Sequence, residues 1–296
     1  MKLLVTGCTG QLGEAVCSLA ASENIECKGF SLKALDITRA FKVYRILRKE
    51  KPDYIINAAA FNDIDLAESE PEQCYAVNRE GVFHLAKSSA RLGIPLIHLS
   101  TSSVFSGTKG GPYVEGDGAN PVNVFGRSKL QGEHALKSVC DEHIILRAGP
   151  VFSEWGDNFL KTLLAGWSTK QNYKLPVDQR FAPTSASDVA RVIIAMIRQI
   201  DCGVRPWGTY HYTGMETTNW HDFAQSVFEE VKKYEGDCTP ELTPVDTKQA
   251  GYRADRPLNT VLNCNKILET FGIRQRSWMP EVSRVVKLYC QQSVTN

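Results

Sequence analysis

Phe125 and Lys129 are the first pair in this sequence whose types and spacing bear on chemistry, within the segment NPVNVFGRSKLQGEHAL of residues 120–136. Residues four apart lie on the same face of a helix, so both side chains would point into one space. A lysine placed there can lower the pKa of a ring hydroxyl, which then donates a proton. Phenylalanine has no hydroxyl. The segment therefore belongs either to an enzyme that has lost its acid or to a binding protein with an enzyme's fold.

Three glycines near the N-terminus, Gly7, Gly10 and Gly13 in VTGCTGQLG, form a second candidate site. Alone they could be only a tight turn, but they stand between a strand pattern and a helix pattern, as a dinucleotide-binding loop requires. The first glycine allows the turn, the second lets the backbone approach a pyrophosphate, and the third lets the helix pack closely. The helix start at Gln11 and Leu12 would offer free N–H groups to the phosphates.

The second predicted strand ends without the acidic residue that would bind a ribose 2′-hydroxyl. The segment GFSLKALDIT places Ser31 and Lys33 there instead. A hydroxyl and a cation suit a 2′-phosphate, so the sequence favours NADP over NAD. The alternative is that both side chains simply belong to a surface loop.

Alternating short strands and helices would position these residues. The predicted strands cover residues 2–7, 25–31, 53–59, 95–101 and 143–149, and the predicted helices cover 11–22, 40–49, 71–92 and the segment with Lys129. This order predicts an α/β fold with a doubly wound, parallel, Rossmann-type sheet.

The pattern becomes looser after Arg147, where a helix over residues 186–200, a strand GTYHYTG and a helix over 220–234 follow. We predict a dinucleotide-binding domain over residues 1–150, completed by about 186–212. Residues 151–296 would form mainly a smaller C-terminal substrate-binding lobe.

Composition argues against several other classes. The 296 residues carry a net charge of +1 with scattered basic residues, so nucleic acid and anionic membrane are poor partners. The longest apolar run, 192–197, is too short to span a bilayer, and the apolar run before Thr6 has only three residues, too few for a signal peptide. The nine cysteines are dispersed without Cys-x-x-Cys, which favours reduced thiols in a cytoplasmic protein and no metal site.

Together with NAAA (57–60), LSTSSVF (99–105) and FGRSKLQGE, these motifs give a specific resemblance. The chain resembles the dTDP-4-dehydrorhamnose reductase family of extended short-chain dehydrogenases/reductases, which also includes the regulatory beta subunit of methionine adenosyltransferase. Further matching segments run almost from end to end: DLAESEPEQCYAVN, GPYVEGDGANPVNVFGRSKLQGE, DNFLKTLL, DQRFAPTSASDVA, GTYHYTGMETTNWHDFA and RPLNTVLN.

The resemblance implies roles for individual residues. In such reductases a nicotinamide gives hydride to the C4 carbonyl of a nucleotide-linked deoxysugar, a tyrosine protonates the oxygen, and a lysine holds the nicotinamide ribose. Thr101 and Lys129 take the hydroxyl and lysine positions, whereas Phe125 takes the tyrosine position. The implied cofactor-binding residues are Gly7, Gly10, Gln11, Leu12, Gly13, Ser31, Lys33, Asp36, Ile37, Ala58, Ala59, Ala60 and Lys129.

The resemblance also implies a cleft for the nucleotide sugar. Guanidinium groups bind phosphate oxygens in pairs, so arginines converging there would suit a diphosphate. The implied substrate-binding residues are Ser102, Ser103, Asn158, Lys161, Gln179, Arg180 and Arg256.

Two functions are compatible with these residues. We favour an NADPH-dependent sugar-nucleotide oxidoreductase, slowed by the loss of the tyrosine, because Thr101, Lys129, the phosphate loop and the cationic cleft are retained. Phe125 instead favours a non-catalytic NADP-binding regulatory subunit of a partner enzyme such as methionine adenosyltransferase. The partners expected are a nucleotide sugar, and either a second copy of the chain or that enzyme.

Overall fold

Ten strands are present in the computed structural model, which describes residues 1–236 and 240–293. They are β1 (Lys2–Thr6), β2 (Glu26–Phe30), β3 (Tyr54–Asn57), β4 (Leu96–Thr101), β5 (His143–Ala148), β6 (Val151–Phe152), β7 (Tyr173–Pro176), β8 (Thr184–Ser185), β9 (Gly208–Tyr212) and β10 (Leu242–Val245). Six of them form one parallel sheet in the order β2-β1-β3-β4-β5-β9. The predicted doubly wound α/β sheet is confirmed.

The helices of the described residues are α1 (Gln11–Ser22), α2 (Ala40–Glu50), α3 (Ile64–Ser69), α4 (Pro71–Tyr75), α5 (Val82–Leu92), α6 (Val124–Lys137), α7 (Phe159–Thr169), α8 (Ala186–Asp201), α9 (Trp220–Glu235), α10 (Asn265–Phe271) and α11 (Met279–Ser293). The helix predicted over residues 71–92 is α4 and α5 joined by a π-helical segment, Ala76–Gly81. The short helix α3 was not predicted. It begins where the Asp63 carboxylate accepts a hydrogen bond from the backbone N–H of Leu66.

The strand order reverses at β1, which lies between β2 and β3. Ligands of such sheets bind at the carboxyl ends of the strands beside this reversal. A buried polar row fixes the strands there: the Thr6 hydroxyl donates to Asn57 Oδ1 over 2.7 Å, and Asn57 Nδ2 lies 3.0 Å from His98 Nδ1. Burial holds the pKa of His98 well below its usual value, so the imidazole is neutral.

Apolar residues cover both faces of the sheet. Helices α1 and α8 pack on one face, while α2, α5 and α6 pack on the other. A separate core joins α7, α9, α11 and the parallel pair β7–β10. The exact division of the chain near residue 150 stays a prediction.

A buried ion pair holds α6 against the sheet. The Arg147 guanidinium on β5 donates twice to the Glu133 carboxylate on α6, over 2.9 and 2.7 Å, and the Ser100 hydroxyl donates to Glu133 over 2.5 Å. Burial alone would raise the pKa of Glu133, but these hydrogen bonds and the charge of Arg147 outweigh it and lower the pKa. The pair fixes α6, and with it the position of Lys129.

Replacing Glu133 by alanine is expected to lower the free energy of unfolding by about 3–5 kcal/mol, because Arg147 is left buried without its partner. Urea unfolding measures this change. The exposed pair of Glu23 and Arg198 provides the control, since Glu23→Ala should change stability by less than about 1 kcal/mol. Equal effects of the two substitutions would contradict a structural role for the buried pair.

Candidate active site

A cavity of about 730 Å³ lies between the carboxyl ends of the strands and the C-terminal elements. The loops after β1, β3 and β4 form its inner wall, together with one face of α6. Its outer wall comes from the start of α7, residues 179–181, Trp220 on α9 and residues 252–260. The predicted site residues in the wall are Gly10, Gln11, Leu12, Ala58, Ala60, Thr101, Ser102, Ser103, Phe125, Lys129, Asn158, Gln179, Arg180 and Arg256.

The loop after β1 has the geometry of a phosphate-binding loop. Gly7 has a φ of +67°, and a Cβ at Gly13 would lie 2.2 Å from the Gly7 carbonyl oxygen, so neither position accepts a side chain. A Cβ on Gly10 would meet nothing closer than 3.5 Å, which leaves its backbone open to the cavity. Among the described residues no side chain caps the start of α1. Its first N–H groups can therefore bind phosphate oxygens.

The loop after β3 is held by Asn78, a residue that the sequence analysis did not single out. Its amide bonds both backbone groups of Phe61, over 2.9 and 3.0 Å, and its Nδ2 also donates to Ser128 on α6 over 2.9 Å. Asn78 lies in the π-helical segment, and such segments often occur at functional sites. The sequence could have identified Asn78 as a polar amide within the helix predicted over residues 71–92. Asn78 thus connects residues 58–61 to the helix with Lys129.

The residues predicted for the adenosine end lie outside the cavity wall. Lys33 is exposed, and the Ser31 carbonyl accepts the N–H of Leu35 in the turn after β2. The Asp36 carboxylate accepts two hydrogen bonds from Thr38, over 3.0 and 2.7 Å. Ile37 is buried. The predicted roles of these four residues in cofactor binding stay predictions.

Thr101, Phe125 and Lys129 meet in the inner wall, as their sequence positions predict. The Thr101 Oγ1 accepts the N–H of Ser103 over 3.1 Å, so its own hydrogen remains available for a ligand. Phe125 is buried and packs with Ala67 and Cys74. No proton can come from this ring.

Lys129 is buried, with 4% of its surface exposed, yet it reaches the cavity. Its Nζ donates to the backbone oxygen of Leu99 over 2.7 Å. Burial lowers the pKa of Lys129 to about 8, although the charges of Glu133 and Cys74 oppose the change. An ammonium group with this pKa can release a proton near neutral pH.

Two of the predicted substrate-binding residues, Asn158 and Gln179, use their side chains in hydrogen bonds within the protein. Asn158 caps α7, accepting the N–H of Lys161 and donating to two backbone oxygens. Lys161 is not among the residues of the cavity wall, and its role at the diphosphate stays a prediction. The Gln179 amide accepts from Trp220 Nε1 over 2.8 Å and donates to Thr247 over 3.1 Å. The two partners of Gln179 lie 41 and 68 residues away in sequence and could not be predicted from spacing.

The two arginines of the wall differ in how they are held. Within the described residues no hydrogen bond or ion pair engages the exposed guanidinium of Arg180, whose backbone is fixed by Leu258 and Thr260. The Arg256 guanidinium bonds Asp65 over 2.8 Å and lies 4.6 Å from the Tyr252 ring centre. Arg180 therefore has its whole guanidinium available for an anion, whereas Arg256 is bonded to Asp65 through one nitrogen and keeps a buried Nε without a partner among the described residues.

Aromatic side chains at the outer end of the cavity were missed by the sequence analysis. Phe159, Phe181, Trp220 and Tyr252 all line it, with ring centres of Phe181 and Trp220 4.2 Å apart. Flat apolar rings beside a cation suit a nucleoside with a phosphate group. Each ring belongs to a different segment, so only the fold brings them together.

Comparison with known proteins shows to which family this chain belongs. Residues 1–290 match the sequence profile described as RmlD substrate binding domain. A dTDP-4-dehydrorhamnose reductase of Sinorhizobium fredii is 37% identical over 290 residues, which cover 97% of each chain. The chain belongs to the dTDP-4-dehydrorhamnose reductase family. A family member of the same name from Salmonella typhimurium is 36% identical, again over 97% of each chain.

Solved structures of the dTDP-4-dehydrorhamnose reductase family share the fold. That of Clostridium acetobutylicum gives a TM-score of 0.90 at 30% identity and covers 97% of this chain and 99% of its own. The Bacillus anthracis reductase, solved in complex with NADP, gives 0.88 at 28% identity, with 97% and 100% covered. Within residues 1–236 and 240–293, no helix is both long and apolar enough to cross a membrane, and no three acidic, histidine or cysteine side chains are grouped to hold a metal.

Proposed function

We propose that this protein reduces the 4-keto group of a dTDP-linked deoxysugar with NADPH. The observation that carries the proposal is that the phosphate loop, Lys129 with Thr101, and Arg180 with its aromatic neighbours all line one cavity. A dinucleotide, a carbonyl group and a nucleoside diphosphate would need those three surfaces together. We assign cofactor binding to residues 1–150 with about 186–212, and substrate binding mainly to the remaining C-terminal part.

The loop after β1 fits NADPH, since a side chain on Gly7 would lie 2.7 Å from the Ala59 backbone and Gly10 leaves room for a pyrophosphate. A relative from Bacillus anthracis binds NADP, which supports the same cofactor here. Bound NADPH would supply the hydride from its nicotinamide ring. The protein must then provide one proton to the carbonyl oxygen.

Lys129 is our candidate for that proton donor. Phe125 leaves the reaction without the family's acid, whereas Lys129 lies one helical turn further along the same face and reaches the cavity. Its pKa of about 8 suits proton release at neutral pH. The Thr101 hydroxyl would donate a hydrogen bond to the same oxygen and hold it in place. Lys129 would end the reaction as a neutral amine and recover its proton from water.

The regulatory-subunit alternative rests on Phe125 alone. The relatives described above are named as reductases and give that alternative no support. A protein that only bound a partner would have no need of the open cavity end with Arg180 and its aromatic neighbours.

The decisive experiment adds dTDP-4-dehydrorhamnose to the protein with NADPH and follows NADPH absorbance. We expect turnover, and dTDP alone should raise the melting temperature, because a ligand of the native state stabilises it. Arg180→Ala should weaken dTDP binding by about tenfold or more, as expected for the loss of a charged hydrogen bond, and should leave NADPH binding intact. No turnover and no response to dTDP would contradict the reductase.

Cofactor preference forms a separate prediction. If Ser31 and Lys33 bind the 2′-phosphate, NADPH should bind more tightly than NADH, and Lys33→Ala should weaken NADPH binding about tenfold with little effect on NADH. Fluorescence titration gives both dissociation constants. Lys174→Ala, at an exposed position on β7, is the matched control. Equal affinities for NADPH and NADH in the unaltered protein would contradict the proposal that Ser31 and Lys33 bind the 2′-phosphate.

A further inference from the structure

Three cysteine thiols lie together beneath the phosphate loop. Cys8 belongs to the loop, Cys17 to α1 and Cys27 to β2, and the Cys17 and Cys27 sulfurs are 3.8 Å apart. All three residues are half-buried and none of them lines the cavity. The reduction proposed above makes no use of them.

Gly29 on β2 makes the approach of these thiols possible. A Cβ at this position would lie 3.1 Å from the Cys17 sulfur, 3.2 Å from the Cys8 sulfur and 2.8 Å from the Cys8 Cβ. The absence of a side chain at Gly29 therefore leaves space for two sulfurs against the strand. The third, Cys27, lies two residues earlier on β2.

The contact between Cys17 and Cys27 changes how easily each thiol ionises. Their shared hydrogen bond lowers the pKa of Cys27, although burial opposes this, and it raises the pKa of Cys17. A thiol that ionises more easily attacks oxidants faster, and a second thiol in contact can then complete a disulfide. Cys202, which is exposed and far along the chain, lacks a neighbouring thiol among the described residues.

We propose that Cys17 and Cys27 form an oxidisable dithiol that hydrogen peroxide converts into a disulfide. The Cys27 thiolate attacks the O–O bond, which forms a sulfenic acid and, with one proton, releases water. The Cys17 sulfur then attacks the Cys27 sulfur and displaces the hydroxyl as a second water. Two thiols and one hydrogen peroxide thus become one disulfide and two waters.

The bond would join α1 to the edge of the sheet. The two sulfurs must approach from 3.8 Å to about 2.0 Å, and β2 is the element free to move because it is paired on one side only, with β1. The turn with Ser31 and Lys33 follows β2 directly. If these residues bind the 2′-phosphate as proposed above, the disulfide weakens NADPH binding more than NADH binding.

The test treats the reduced protein with hydrogen peroxide and identifies the products by mass spectrometry. We expect a species about 2 Da lighter with a Cys17–Cys27 linked peptide, absent from the Cys17→Ser and Cys27→Ser variants but retained in Cys202→Ser. Oxidation at single cysteines without this link, or a link between Cys8 and Cys17, would overturn the pairing. The result does not depend on reductase activity.

A second measurement concerns the cofactor. The dissociation constant of the oxidised protein for NADPH should rise about fivefold or more, the lower end of usual couplings between sites, and dithiothreitol should restore it. An unchanged constant in fully linked protein would overturn the connection to cofactor binding. It would leave the dithiol itself established by the linked peptide.

Discussion

Phe125→Tyr is expected to raise the turnover of dTDP-4-dehydrorhamnose, but by less than the full contribution of about 10²–10⁴ from a positioned general acid, because Lys129 already supplies a proton in the unaltered protein. The new hydroxyl would face the cavity that Phe125 already lines, one helical turn from Lys129. The positive charge of Lys129 would lower the pKa of the tyrosine towards the working range. The substitution adds one polar atom at an open cleft, so the fold should tolerate it.

Steady-state kinetics under saturating NADPH measures this gain. Phe125→Leu serves as the control, since it changes the packing of the same position without adding a proton donor and should give no increase. If the unaltered protein is already fast and Phe125→Tyr changes little, another group is already an efficient acid. If both proteins are inert while NADPH binds tightly, the cavity is not used for this reduction.

Lys129→Met is expected to abolish most turnover, by about 10²–10⁴, because it removes the proposed acid without adding another. Lys129→Arg is the sharper variant, since arginine keeps the positive charge but does not release a proton at neutral pH. We expect Lys129→Arg to retain more NADPH binding than Lys129→Met and still to turn over slowly. Added methylamine should restore part of the activity of Lys129→Ala, as a small amine can enter the space of the missing side chain.

The pH dependence of turnover gives an independent test of the same role. Lys129 acts as an acid only when protonated, so activity should be full below its pKa of about 8 and should fall as the pH rises through that value. The groups whose charges act on Lys129 are Glu133 on the same helix and Cys74 on α4, and both raise its pKa against the effect of burial. A flat profile from pH 6 to 9, with no rescue by amines, would exclude Lys129 as the donor.

Gly10 was identified from local spacing, and Thr101 and Lys129 from the family resemblance, and all three lie in the inner wall of the cavity. The positions of Gly10, Thr101 and Lys129 follow from strand ends and helix faces, which have fixed geometry. The outer wall could not be predicted in the same way. Gln179 is bonded to Trp220 and Thr247, and Arg256 to Asp65, and these partners come from segments between 41 and 191 residues away.

The sheet and the longer helices were predictable because each has its own hydrophobic period. The π-helical segment was not, since its apolar pattern is compatible with one uninterrupted helix over residues 71–92. Its cause is tertiary: Asn78 faces Phe61 and Ser128, and the Asn78 backbone oxygen leaves no space for a side chain at Gly132, where a Cβ would lie 2.1 Å away. These contacts could not be predicted from the sequence, because they form only when α5 and α6 are packed together.

Because of the Asp65–Arg256 ion pair, anion binding has a different entropy cost at each of the two arginines of the cavity. The Asp65 carboxylate also accepts the N–H groups of Arg253 and Ala254, so the chain around Arg256 is ordered before any ligand arrives. Binding of a phosphate to Arg256 costs little side-chain entropy, because the arginine is already held in place. The phosphate must, however, share the guanidinium with the Asp65 carboxylate. Among the described residues Arg180 has no such competitor, and its exposed side chain must be immobilised on binding. Ligand affinity at this end of the cavity is therefore a balance between a fixed, shared cation and an exposed, unshared one.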